Sequence, residues 1–171
     1  MTIPNKIKQA LGFLYLRMGI KQLKEVLYDI PITKIPILPS FAGIKLYGTE
    51  LDVDYYTTDW DNWTEILDKV YSILQDNPWT AEKFDCDNRA EFTSSLISMI
   101  YNLNTCARVY CEVSRASDGV AKYLHWCNVV IDKNKDLYIV DMDYGGKRQK
   151  ITSNVVVMGV NKYTLKNFRI G

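Results

Sequence analysis

Leu124-His125-Trp126-Cys127-Asn128-Val129-Val130-Ile131 is followed by Asp132-Lys133-Asn134-Lys135-Asp136 and then by Leu137-Tyr138-Ile139-Val140-Asp141-Met142-Asp143. Two β-rich runs thus flank five polar residues, which reads as two antiparallel strands joined by a hairpin turn. Side chains alternate along a strand, so His125, Cys127, Val129 and Ile131 share one face. Pairing Ile131 with Leu137 sets Asp141 opposite Cys127 and Asp143 opposite His125, all on that face. Either carboxylate can then reach the imidazole, directly or across one rung.

Working outward, Cys106–Val113 reads as a strand before the hairpin. Asn154–Val160 reads as one after it, beyond a turn at Tyr144-Gly145-Gly146. Upstream the period becomes helical. Trp63, Ile66, Leu67, Val70, Ile73 and Leu74 form one apolar stripe, with Asp59 or Asp61 as its cap and Pro78 beyond its end. A second helix starts at Cys86, with Asp85 as its N-cap, and runs to about Leu103. Residues 5–28 also show helical spacing, with a weak point at Gly19. Pro31, Pro36 and Pro39 then punctuate an extended arm over Ile30–Ser40, expected to wrap the domain, and Gly43–Tyr47 reads as a short strand. Helices followed by an antiparallel sheet predict an α+β fold. The expected division is an N-terminal helix and arm over 1–58 and an α+β core over 59–171, with N-terminal helices packed on a small antiparallel sheet.

The chain has 171 residues and a net charge of +1, with 47% hydrophobic and 24% charged residues. These values fit a soluble globular chain and weigh against a nucleic-acid binder that neutralises many phosphates. The cluster Lys147-Arg148-Gln149-Lys150 is too short to alter that, and reads as a solvated turn. Residues 51–88 hold ten acids and two bases, which reads as a solvated acidic face. The apolar run Ala10–Ile20 carries Arg17 and is too short to span a bilayer, and no signal peptide or membrane contact is expected. Reduced thiols in a cytoplasmic, or virion-associated, setting follow as the expectation for the four cysteines.

Those cysteines are Cys86, Cys106, Cys111 and Cys127, and the one histidine is His125. Phe84-Asp85-Cys86-Asp87-Asn88 places the first thiol at a helix N-terminus, where the helix dipole favours a thiolate. A thiol at a helix start, an imidazole on a strand and a carboxylate beside it are the parts of a Cys-His-Asp triad. The thiolate attacks, the imidazole moves the proton, and the carboxylate fixes tautomer and orientation. A His/Cys zinc site is disfavoured: there is no CxxC pair, and Cys106 and Cys111 fall on opposite faces of their strand.

This order of residues resembles the transglutaminase-like/papain-like cysteine hydrolase superfamily, over about residues 75–145. Phe84-Asp85-Cys86-Asp87-Asn88 with Ala90 and Phe92 is similar to its "DCDDFA"-type nucleophile motif. His125-Trp126-Cys127-Asn128 is similar to a "HAWN" motif, and Leu137-Tyr138-Ile139-Val140-Asp141 to a "LYLIE" strand, of the group that includes the proteolytic C-terminal domains of lectins of the Marasmius oreades type. The resemblance implies Cys86 as nucleophile, His125 as base and acid, and Asp141 rather than Asp143 as the orienting carboxylate. Asp143 is the alternative. Two departures stand out. Trp126 directly follows the histidine and so faces away from the site. Asn88 replaces the second carboxylate of the nucleophile motif, which weighs against the calcium or manganese site of that group. No metal or other cofactor is expected.

The function expected on this basis is a thiol hydrolase or acyl-transferase that acts on a peptide or amide bond of a peptide or protein substrate through a thioester. Trp79 is read as lining the substrate cleft, and the loop between Ser114 and Lys122 as a lid. The alternative reading is a non-catalytic interaction or structural module of a larger assembly, a virus particle among the candidates. In that reading the N-terminal arm meets a protein partner.

Overall fold

The structure, a computed structural model, describes residues 30–35, 46–47, 54–76 and 84–169. The helix expected over 5–28, Pro36, Pro39 and Trp79 lie outside the described residues. Pro31–Gly171 forms one compact unit, distinct from Met1–Ile30.

The strands in chain order are β1 (Thr33–Ile35), β2 (Leu46–Tyr47), β3 (Tyr55–Thr57), β4 (Cys106–Arg115), β5 (Ala121–Ile131), β6 (Leu137–Asp141), β7 (Lys147–Lys150), β8 (Val155–Met158) and β9 (Asn161–Arg169). The helices are α1 (Trp60–Gln75) and α2 (Cys86–Tyr101). The main sheet runs β2-β9-β4-β5-β6-β7, with β8 paired to β9. Because β8 also comes alongside β7, strands β9-β4-β5-β6-β7-β8 nearly close into a six-strand barrel. A small second sheet joins β1 to β3. The expected α+β architecture, a transglutaminase/papain-like core of helices on a small sheet, is therefore corrected: the barrel-like sheet dominates, and among the described residues two helices lie against it.

Alternation builds the barrel. Val109, Cys111 and Val113 of β4, Cys127, Val129 and Ile131 of β5, Leu137 and Ile139 of β6, Val156 and Met158 of β8, and Tyr163 and Leu165 of β9 form one buried cluster. The β5–β6 register is Ile131 with Leu137 and Asn128 with Val140, as the sequence predicts. Asp132 holds the connecting turn: its Oδ1 accepts the backbone N–H groups of Asn134 and Asp136, both at 2.9 Å.

The helices bury their apolar stripes against the other face of this wall. Trp63, Ile66, Leu67, Val70 and Leu74 of α1 are buried, and the Trp63 indole N–H reaches the carbonyl of Ile131 at 3.1 Å. Asp59 caps α1 by accepting the Asn62 N–H at 3.0 Å. Asp85 occupies the N-cap position of α2 with extended backbone, yet its side chain makes no capping bond, contrary to expectation. Helix α2 is tied to the wall by Asn128, whose Nδ2 donates to the carbonyl of Ala90 at 2.9 Å. The described part of the arm lies on this unit. Thr33–Ile35 pairs with Tyr55–Thr57, Ile35 joins the barrel cluster, and the Thr58 hydroxyl donates to the Pro31 carbonyl at 2.9 Å. Among the described residues no helix is long and apolar enough to cross a membrane.

Two strands depart from the sequence reading. Lys147–Lys150, read as a solvated turn, is β7, and Arg148 ion-pairs with Asp68 of α1 while donating to the Thr64 carbonyl at 3.0 Å. Asn161–Arg169 is β9, which pairs along the length of β4 and on its other side with β8 and β2.

Candidate functional site

The barrel interior changes character at one end. There His125 of β5 and Asp141 at the end of β6 face inward, 4% and 2% exposed. The imidazole Nε2 lies 3.1 Å from Asp141 Oδ2. A carboxylate has no proton to give, so Nε2 carries the hydrogen and donates. The other carboxylate oxygen, Oδ1, accepts the backbone N–H groups of Asp143 at 2.9 Å and Tyr144 at 3.1 Å, so the turn after β6 fixes the carboxylate. Tyr163 of β9 adds a fourth bond, its phenol donating to Oδ2 at 2.7 Å.

Burial opposes a charged imidazole, but hydrogen bonds to Asp141 and to Cys86, together with the negative charge of Asp141, prevail and push the His125 pKa up to about 10. Burial also opposes ionisation of Asp141, yet the bonds from His125 and Tyr163 hold its pKa below the ordinary carboxylate range. An imidazolium–carboxylate pair at neutral pH follows from the two directions together.

Cys86 opens α2 and is half-buried, and its thiol interacts with the His125 ring. The structure thus brings the three sequence-predicted residues, Cys86, His125 and Asp141, into one chain of contacts. Asp143, the alternative carboxylate, goes elsewhere: its Oδ1 pairs with Arg89 Nε of α2 at 2.5 Å. Burial, the leading influence, raises the Asp143 pKa. His125 and the two aspartates offer donor atoms within 4.8 Å of one another. Each donor already has an internal partner in this set or in Arg89, and no cation is assigned to them. The other thiols are free: Cys111 and Cys127 meet inside the barrel with sulfurs 3.7 Å apart, and burial pushes the Cys106 thiol on the opposite face up to about 12.

A cleft of about 650 Å³ opens over this end of the barrel. Its floor carries Cys86, His125 and Asp143; Tyr71, Gln75 and Arg89 line the helical side, and Tyr123 and Leu124 the strand side. Tyr123 is 48% and Leu124 60% exposed, since β6 pairs with β5 only from Asn128 to Ile131 and leaves this part of β5 without a neighbour on that side. The loop at its tip, read as a lid, is knit by its own bonds: Arg115 pairs with Asp118, and Asp118 accepts the Val120 N–H at 3.0 Å. Gly146, with φ +62°, passes so close to Tyr71 that a Cβ there would lie 3.0 Å from the ring. Sequence reasoning missed Tyr163, Arg89 and Tyr71. The alternation of Tyr163 with Leu165 is the signal that could have placed Tyr163 on an inward face.

No family model matches the chain, and no curated protein matches it. Among solved structures, the complex of PSL1a, a Polyporus squamosus lectin, with E64 is similar at a TM-score of 0.52 and 17% identity, over 77% of this chain and 45% of that one. Polyporus squamosus lectin bound to the human-type influenza-binding epitope Neu5Aca2-6Galb1-4GlcNAc matches at a TM-score of 0.47 and 16% identity, over 74% and 42%. The chain spans under half the length of each, and at such identity the likeness to the first speaks for the fold alone. The expected membership of the transglutaminase-like/papain-like cysteine hydrolase superfamily is corrected: the structure similar above a TM-score of 0.5 is a lectin complex. The reading as a thiol hydrolase or acyl-transferase, a cysteine protease of peptide or amide bonds, is withdrawn with it.

Proposed function

We propose that this chain is an interaction module of a larger assembly and that it takes a carbohydrate ligand in the cleft above the barrel. The carrying observation is the cleft itself. It joins two tyrosine rings, Tyr71 and Tyr123, with the polar groups of Gln75, Arg89 and Asp143 in a space suited to one or two sugar rings. A tyrosine presents an apolar face and a polar tip, which matches the apolar face and hydroxyl rim of a pyranose. The likeness in fold to a lectin complex supports the same class, in place of the peptide or protein substrate expected from the sequence. Binding is tested by titrating neutral and sialylated oligosaccharides into labelled protein and following amide shifts. Saturable shifts around the cleft, weakened at least tenfold by Tyr123→Ala, are expected. Shifts in no glycan, or shifts indifferent to Tyr123, overturn the reading.

A second proposal rests on the contact chain at the cleft floor. Cys86 is a reactive thiol, His125 carries its proton, and Asp141 orients the ring. It concerns the reactivity of the sulfur and not the cleavage of any bond. Iodoacetamide alkylation mapped to each cysteine tests it: Cys86 reacts fastest, and His125→Ala slows it at neutral pH. An unreactive Cys86, or one indifferent to His125, defeats it.

A further inference from the structure

We infer that Tyr163 is a positioning residue that acts through Asp141 on His125, its phenol competing with the imidazole for a single carboxylate oxygen. The inference rests on the roles proposed above for Cys86, His125 and Asp141. Tyr163 is wholly buried, so its hydroxyl has no water to turn to, and it lies 2.7 Å from Oδ2, the same atom that His125 Nε2 approaches at 3.1 Å. The phenol stays protonated, because burial and the Asp141 charge push its pKa far up. It therefore always donates.

Two donors on one oxygen weaken each other, since each draws off part of the same negative charge. The carboxylate cannot evade the competition by turning, because Oδ1 is pinned by the N–H groups of Asp143 and Tyr144. The phenol so loosens the hold of Asp141 on the Nε2 proton, which lowers the proton affinity of the whole ring and eases exchange of the proton on its other nitrogen with the Cys86 sulfur. The other groups around the imidazole are Cys86 and Arg89 from α2, Cys111 from β4, Tyr123 and Cys127 from its own strand, and Asp143 beyond β6. None of these groups is a hydrogen-bond partner of the Tyr163 hydroxyl, which meets Asp141 and Asn161.

The test reads the ring itself by NMR in the intact chain. In Tyr163→Phe the His125 Nε2 proton should move downfield, and the ring's proton affinity should rise about threefold, roughly half a pH unit, as the remaining bond to Asp141 strengthens. Site-specific replacement of Tyr163 by 3-fluorotyrosine, a stronger donor, should move both in the opposite direction, and it carries the test alone if Tyr163→Phe fails to fold. An unmoved imidazole, or movement in the same direction in both proteins, overturns the inference. A merely structural Tyr163 lowers Tm and leaves the ring signals in place. Failure of the thiol reading is separable: it shows as an unreactive Cys86 while the imidazole still responds to Tyr163.

Discussion

The two ends of the barrel interior are laid down by the same alternation of the same strands, and they hold opposite chemistry. Toward the β5–β6 turn the inward residues are Val129, Ile131, Leu137 and Ile139, and the space is filled by hydrocarbon. Two to four residues further along the same strands the inward residues are His125 and Asp141, with Tyr163 arriving from β9. The apolar end gains from removal of surface from water and from close packing, which are additive and undirected. At the polar end a buried charge is costly unless every lone pair is met, so its stability depends on a complete set of directed bonds. One end tolerates repacking, and the other fails as a unit.

That contrast can be broken at several strengths. Asp141→Ala strips the partner from a buried imidazolium and leaves the Tyr163 phenol and two N–H groups unmet, so a loss of about 4 kcal/mol is expected in urea unfolding. Ile139→Ala, the matching change at the apolar end, leaves a cavity and should cost about 3 kcal/mol. A reversed order would mean that the polar set contributes less than its geometry implies.

The pH dependence sharpens the same point. The folded His125 pKa lies above its unfolded value, so its contribution is fully present below about 6.5 and is lost as pH rises through about 10. Stability should fall by about 2 kcal/mol between pH 7 and 9, and His125→Gln should flatten that slope. Asp141, held below its ordinary range, contributes above that range and loses its share as pH falls through its depressed value. The smallest effect lies outside the barrel, where Asp59→Ala removes the α1 cap at about 1 kcal/mol and should leave the alkaline slope, which belongs to His125, untouched.

How much of this was legible follows from where the apolar residues fall. The β5–β6 hairpin carries its own register, because Ile131 and Leu137 flank a turn whose Asp132 closes it. That register put His125 and Asp141 on one face, and the structure places them in contact. Strand β7 has no apolar residue at all. Its pairing with β6 comes from backbone bonds and from Arg148 reaching α1, which no local pattern reveals. Strand β9 buries Tyr163 and Leu165 between lysines, a pattern too sparse to stand out, yet it completes the barrel and supplies the second donor to Asp141. With those two strands unseen, the sheet looked small and the helices looked dominant, and the expected architecture followed from that omission. The cleft was illegible for a related reason: Tyr71 and Tyr123 lie far apart in the chain and line one cleft only when α1 has docked.

Gly146 does not itself line the cleft, yet the tyrosine ring beside it forms a wall of it. A side chain at 146 meets two obstacles at once, a left-handed backbone that disfavours it and a ring that must yield a few tenths of an ångström. The ring is the softer of the two. Diversification of this scaffold thus has a remote dial: residues at 146 that survive the backbone cost would narrow or tilt the aromatic wall and reshape the cleft while the residues that line it stay the same.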